Sequence, residues 1–240
     1  MIISIETNTS NLSLTLLNKN SILSHISIPI KNELSEIIVP TIKMFLKDNL
    51  ISFDDISFLA VGCGPGSFTG IRTIISTALG ITVSKSHIKS IGINSLAGLA
   101  MSALQEAKIM KLKYIISSID SKKDDVFLQL FKINYAKTKL LPIVSISNID
   151  MIKIEKLYNY FVIHDLILTE VLFVGHQSNM AKIIIENLNV SKNSTQYPDS
   201  LGVGKLASCL ISNKISINKT IYAFDEFKPI YARSAQINLK

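Results

Sequence analysis

The order in which hydrophobic spacing changes along this chain limits the folds open to it more than any single motif. Residues 2–6 (IISIE) read as a strand, and a polar turn follows at Thr7-Asn8-Thr9-Ser10-Asn11. Leu12, Leu14 and Leu16 then alternate with polar residues, and after the turn Asn18-Lys19-Asn20 the run 21–28 (SILSHISI) alternates again. Three alternating runs joined by short turns predict an antiparallel meander. At residues 33–48 the period becomes helical, with Leu34, Ile37, Ile38, Thr41, Ile42, Phe45 and Leu46 three or four apart. Pro40 lies within this run and either kinks the helix or marks its first turn. A buried strand at 56–61 (ISFLAV), a glycine loop at 62–70 and a helix striped by Ile71, Ile74, Ile75, Ala78 and Leu79 come next. A short strand at 90–93 leads to a third helix, capped by Asn94 or Ser95 and running to about 107.

The succession then restarts. Strands are expected at 113–119, 126–133 and near 140–145, with a charged turn at 120–125. A helix near 149–160, a strand at 171–175 (VLFVG) and helices at 179–188 and 200–212 follow. Hairpin, strand, then helix-strand-helix occurs twice, which predicts two duplicated α/β lobes even though no repeated motif is visible. The expected division is 1–107 for the first lobe and 108–212 for the second, with the segment 213–240 packing back on the first. No Gly/Ser- or Pro-rich linker separates them, so they should pack closely.

The chain has 240 residues, 48% of them hydrophobic, enough for one large core or two lobes of about 100 residues. Its net charge of +7 comes from scattered lysines, and its only arginines are Arg72 and Arg233. That pattern reads as a solvated surface, with a weak basic field that helps recruit nucleic acid as the alternative. No apolar run reaches the roughly 18 residues of a membrane helix. Glu6 interrupts the only candidate signal segment, so the expected location is the cytoplasm, away from membranes. Cys63 and Cys209 make no metal-type spacing and read as structural thiols. His25, His87, His164 and His176 form no i, i+4 pair, so no metal site is expected. Asp120, Asp124 and Asp125 crowd a hairpin turn; they could hold Mg²⁺, but charged turns are ordinarily just solvated.

The segment GCGPGSFTG carries most information. Gly62, Gly64, Gly66 and Gly70 lie between a buried strand and a helix, which Ser67 or Thr69 can cap. Gly64, Gly66, Ser67, Thr69 and Gly70 could therefore cradle an anion at the helix N-terminus. The same residues equally suit a tight turn that packs strand against helix. Known phosphate loops do not fit. Gly70 is followed by Ile71 and Arg72 rather than Lys and Ser/Thr, Ser67 stands where a dinucleotide fingerprint needs its third glycine, and Pro65 removes a donor.

Together these segments resemble the TsaB family along nearly the whole chain. The resemblance rests on IISIETNTSNLSLTL, ELSEIIVPTI, AVGCGPGSFTGIR, IGINSLAGLA and IDSKKDDVFLQLF, then on FVG at 173–175 and KPIYARSA at 228–235. It implies an actin/Hsp70/sugar-kinase-like (ASKHA) fold of two RNase H-like lobes. It also implies a degenerate, non-catalytic paralogue of TsaD, the subunit that transfers threonylcarbamoyl from its adenylate to tRNA adenosine next to the anticodon. TsaD carries a metal-binding His-x-x-x-His pair, and this sequence has none. The implied partners are TsaD in a heterodimer and the ATPase TsaE, with tRNA met through the complex and a homodimer when alone. No cofactor of its own is implied, and a nucleotide at the subunit boundary is left open. Glu6, Thr7 and Asp120 are candidates for a vestigial nucleotide cleft. Three positions depart from the family pattern: Glu6 replaces the usual Asp, Leu34 the usual His before Ser35-Glu36, and Asp120-Ser121-Lys122 an Asp-Ala-Arg turn.

Family pairing uses the helices that correspond to 33–48 and 70–85. The expected interface residues are Ile37, Thr41, Met44 and Phe45, with Thr73, Ile74, Thr77 and Ala78. A charge at Ile74 or Ala78 is then expected to break pairing while the chain stays folded. The opposing reading makes all of these positions the chain's own core. Two rival functions are a phosphotransferase or ATPase of the same fold, and an M22-like peptidase.

Overall fold

The computed structural model describes residues 1–7, 11–31, 33–123, 125–136, 141–192, 196–215, 223–224 and 229–230, with side chains at all but 122, 123, 223 and 224. Asn8, Thr9, Ser10, Asp124, Arg233 and most of 213–240 lie outside these residues.

The first sheet opens with the meander β1 (Ile2–Glu6), β2 (Asn11–Asn18) and β3 (Ser21–Pro29). Helix α1 (Leu34–Asp48) crosses to β4 (Phe58–Gly62), and α2 (Phe68–Ser84) to β5 (Lys89–Ile93). Pro40 lies inside α1, past its first turn, on an exposed face. Helix α3 (Ser95–Ile109) leads to the second sheet, which repeats the plan with β6 (Tyr114–Lys123), β7 (Asp125–Ile133) and β8 (Ile143–Ser145). Then come β9 (Asp150–Lys153), α4 (Leu157–Ile163), β10 (Val171–Gly175), α5 (Ser178–Ile184), β11 (Asn189–Val190) and α6 (Ser200–Ser212). A short strand, β12 (Ala223–Phe224), pairs with β5.

The strand orders are β12-β5-β4-β1-β2-β3 and β11-β10-β6-β7-β8. In each sheet the opening strand is antiparallel to its hairpin partner and parallel to the strand that returns after a helix. The two lobes are therefore duplicates in topology, as the doubled succession predicts. The helix expected at 179–188 ends at Ile184, and one element differs in kind. The helix expected from about 149 begins only at Leu157, because residues 150–153 pair with Asp125–Leu128 of β7 as a strand. Met151-Ile152-Lys153-Ile154 alternates in burial, with Ile154 inward, and cross-strand pairing outweighs a weak helical pattern.

Five layers result. On β1, Ile3 and Ile5 face α1 and α2. Ile2 points the opposite way, into a central core shared by both sheets, and Ser4 Oγ on that same face donates to Ser200 O of α6 at 2.8 Å. The outer face of the second sheet is covered by α4 and α5. The central layer contains an exchange. Helix α6 lies on strands of the first sheet, and α3 on strands of the second. A cut between residues 107 and 108 would thus part each sheet from the helix that covers its inner face.

The two central helices touch where neither has a side chain. A Cβ on Gly202 would lie 2.0 Å from Gly98 O, and one on Gly98 would meet Val203 at 3.2 Å. Gly204, a half-turn on, lies against Ser4, whose Oγ would be 2.6 Å from an added Cβ. Side-chain caps fix the helix starts. Asp199 accepts from Gly202 N and from Ser102 Oγ, and Asn94 accepts from Leu96 N and Ala97 N while donating to Gln129 on β7 at 2.7 Å. Near the start of α6, Thr15 Oγ1 lies 2.7 Å from Ser200 Oγ and 2.9 Å from His25 Nδ1. Burial lowers the His25 pKa, against the pull of Asp199.

Gly202→Ala is expected to lower stability by about 1–3 kcal/mol through overpacking at backbone that cannot yield. Gly80→Ala, where an added Cβ meets nothing within 4 Å, should raise it by about 0.5–1 kcal/mol. Urea denaturation of the two variants reads both signs.

Candidate functional site

β4 ends in the glycine loop, and the loop is built around one carboxylate. The alternation of β1 that turns Ile2 and Ser4 inward also turns Glu6 toward the boundary between the lobes. Glu6 is 1% exposed. Its Oε1 accepts from Thr7 N and its Oε2 from Ser95 Oγ, both at 2.8 Å. A Cβ on Gly62 would lie 2.0 Å from Glu6 Oε2, so the first glycine is there because the carboxylate fills its side-chain space. Ser95 continues the connection, with its Oγ accepting from Gly64 N at 3.2 Å and its own N–H donating to Gly64 O at 2.8 Å. Gly64 has φ +99, a left-handed conformation that favours glycine. Ile230, from the C-terminal segment, donates its N–H to Cys63 O at 2.7 Å.

At the start of α2, Ser67 is the cap, accepting from Gly70 N at 3.4 Å. Gly70 packs against the end of β1, where a Cβ would stand 3.0 Å from Thr7 O. Gly66 and Ser67 are half-buried and Thr69 is exposed. The guanidinium of Arg72 sits 3.7 Å above the ring of Phe68. Thr7 Oγ1 is buried beside this turn and has no hydrogen-bond partner among the described residues.

The second lobe has an equivalent turn that sequence reading missed. Gly62 follows the Ile5↔Val61 pair of the first sheet, and Gly175 pairs with Ser118 in the second. Ser118 thus stands where the first lobe has Glu6. Gly175 has φ +111, and a Cβ there would lie 2.0 Å from Ser118 O. The turn is closed by its own bonds, from His176 N to Ser118 O, Ser118 Oγ to His176 O and Ser178 Oγ to Gly175 O. A single glycine before a helix of seven residues leaves little trace beyond the FVG of β10. Asp120, at the end of β6, is partly exposed and 3.9 Å from His176 Nε2. Glu6 and Thr7 are therefore enclosed while Asp120 reaches solvent. Among the described residues no three His, Cys, Asp or Glu come together as a metal site.

The outer helices require a correction. Thr41, Phe45, Ile74 and Ala78 are buried in the core between the first sheet and α1/α2, so they cannot meet a partner. Ile37, Thr73 and Thr77 are half-buried. Met44 is the one expected interface residue fully on the surface, 57% exposed. The other large apolar side chains exposed on these helices are Val39, Leu79 at 46% and Val83 at 82%. Between the helices runs a groove of about 430 Å³ lined by Val39, Lys43, Thr77, Gly80, Ile81 and Lys85, among others. Leu79 and Val83 are four apart and share a face of α2 that does not line the groove.

These features define a class: a duplicated two-lobed α/β protein with a closed lobe boundary and an apolar outer helix pair. The family model described as TsaD, tRNA N6-adenosine threonylcarbamoyltransferase, matches residues 21–233. The chain belongs to this family and is of its TsaB/YeaZ type. It is 29% identical over 126 residues to the tRNA threonylcarbamoyladenosine biosynthesis protein TsaB of Escherichia coli (strain K12), covering 52% of each chain. It is 25% identical over 189 residues to the TsaB protein of Bacillus subtilis (strain 168), covering 78% of this chain and 76% of that one. The match thus spans about half the length of the Escherichia coli relative. In fold it is similar to YeaZ from Pseudomonas aeruginosa, with a TM-score of 0.72 at 16% identity, over 96% of this chain and 98% of that one. Among the described residues no helix is long and apolar enough to cross a membrane.

Ile74→Lys should place a charge in the core at a loss of several kcal/mol, a large part of the roughly 5–15 kcal/mol that holds a domain together. Circular dichroism should show an unfolded or strongly destabilised chain, not a folded one defective in pairing.

Proposed function

We propose that this chain is a non-catalytic subunit in the biosynthesis of tRNA N6-threonylcarbamoyladenosine, and that it acts by holding TsaD in its active conformation. TsaD then transfers threonylcarbamoyl from threonylcarbamoyl-adenylate to the adenosine beside the anticodon. TsaE is the further partner, tRNA is met through the complex, and the same surface makes a homodimer when TsaD is absent. The names of the relatives support the pathway.

The observation that carries the mode of action is the exposure of Val39, Met44, Leu79 and Val83 on α1 and α2, with an apolar groove between the two helices. Exposed large apolar side chains on this helix pair, together with a groove that exposes little polar surface, favour burial against a partner. A stable pair needs roughly 800 Å² from each side, an area that two helices of 15 and 17 residues can supply. Lys43 and Lys47 at the groove and its end would select an acidic rim on the partner, while Lys85 is paired with Asp54 at 2.8 Å. The buried state of Glu6 supports a non-catalytic reading, because a carboxylate already bonded to Ser95 and Thr7 is not poised to position a metal or a phosphate. Binding energy spent on one conformation of TsaD raises the population of that conformation.

Reconstitution tests this reading. TsaD and TsaE with threonylcarbamoyl-adenylate and tRNA should form modified adenosine at least tenfold faster when the chain is present. The double variant Leu79→Asp/Val83→Asp should fold normally, fail to co-purify with TsaD and give no stimulation. Stimulation equal to that of the unaltered chain would remove the interface. A saturable ATPase rate or chelator-sensitive proteolysis by the pure chain would replace the reading with one of its enzymatic rivals.

A further inference from the structure

Beyond the contact of Gly98 with Gly202, a cavity of about 340 Å³ lies between the later turns of α3 and α6, in the seam between the lobes. It is distinct from the glycine loop and from the α1/α2 groove. Met101 and Leu104 of α3 give it an apolar wall, with Pro142 just before β8. Two lysines line the same space, Lys108 from α3 and Lys205 from α6.

Both lysines are only half-exposed, and among the described residues neither lies within ion-pair distance of a carboxylate. The one acid of α3, Glu106, is engaged elsewhere, by Ser191 Oγ and by Lys192 N at 2.9 Å. Helix α6 has no acid at all. The partial negative charge at a helix C-terminus accounts in part for Lys108, which lies in the last turn of α3. It does not account for Lys205, in the middle of α6. Two like charges lining one cavity favour an anion there. Lys108 also acts on the pocket's sulfur: burial raises the Cys209 thiol pKa, and the ammonium opposes that rise. The rim is held in place, with Ser208 Oγ 2.6 Å from Lys19 O and 2.7 Å from Asn20 Oδ1 in the β2–β3 turn.

We propose that this cavity binds a small phosphate ester, with the phosphoryl group between Lys108 and Lys205 and an apolar or aromatic body against Met101, Leu104 and Pro142. Lysine is a compact point charge that suits a multi-oxygen dianion, whereas carboxylates favour the flat fork of arginine, and among the described residues no arginine lines the cavity. The volume is at the small end of ligand pockets, about 300–1,000 Å³, which fits a mononucleotide-sized ligand rather than a dinucleotide. This inference does not rest on the function proposed above.

Titration of the pure chain with AMP, glucose 6-phosphate and inorganic phosphate, followed by amide NMR shifts, tests it. AMP should saturate with a Kd below about 1 mM and move the signals of residues 101–108 and 205–209. Glucose 6-phosphate and inorganic phosphate should bind at least about tenfold more weakly. Lys205→Met and Lys108→Met should each weaken AMP about tenfold or more, while Lys156→Met on the outer side of the second lobe leaves it unchanged. If either pocket variant fails to fold, Gln105→Glu, which adds a negative charge at the exposed mouth, should weaken AMP instead. No saturable AMP binding, or AMP binding indifferent to these changes, would overturn the site. Equal affinity for AMP and inorganic phosphate would overturn the apolar body.

Discussion

The closeness of α3 and α6 at Gly98 and Gly202 is the constraint on which the remainder of the structure depends. With no side chain on either helix at that point, backbone meets backbone, and each helix reaches the inner face of the opposite lobe's sheet. The central core is then a single cluster containing Ile2, Ala60 and Ile93 of the first sheet and Ile115, Phe127 and Leu172 of the second. Interiors packed at this density move as blocks rather than deforming smoothly. The caps add polar specificity, since Asp199 of the α6 start is bonded to Ser102 of α3, and Asn94 of the α3 start to Gln129 of β7. A larger residue at the crossing would part the helices, and with them the sheets they cover.

This arrangement decides which polar groups remain available. At the lobe boundary the protein uses its side chains on itself: Glu6 on Ser95 and Thr7, and Ser118 on the turn after Gly175. The glycines there serve close approach more than ligand access, as Gly62 shows by yielding its side-chain space to Glu6. Apolar side chains face outward on α1 and α2, among them Met44, Leu79 and Val83. In the seam, two lysines are left without carboxylates. A protein organised in this way is suited to binding.

The succession of periods was enough to read the duplicated lobes, and the bounds of α6 were legible to the residue. Which sheet each central helix covers was not. Nothing local in LAGLA or LGVGK says that two glycines will meet, because the contact joins residues more than a hundred positions apart. The faces of α2 were misassigned for a related reason. Ile71, Ile74, Ile75, Ala78, Leu79 and Val83 cover a wide arc, and an apolar arc on a helix says that something covers it without saying what. The structure divides that arc, with Ile74 and Ala78 inside and Leu79 and Val83 outside. Residues 150–153 were misread because four alternating residues beside a helix start are ambiguous until their strand partner, Asp125–Leu128, is known. Glu6 was visible as an acid at a strand end. Its enclosure depends on Ser95, 89 positions away.

The central claim is that this chain works through the outside of α1 and α2 and not through its lobe boundary. Amide hydrogen exchange of the chain, alone and bound to TsaD, tests it most directly. The account predicts new protection across residues 36–47 and 73–85, with the exchange of residues 62–67 unchanged. Protection confined to the glycine loop and the start of α3, with α1 and α2 exchanging as in the free chain, would contradict it.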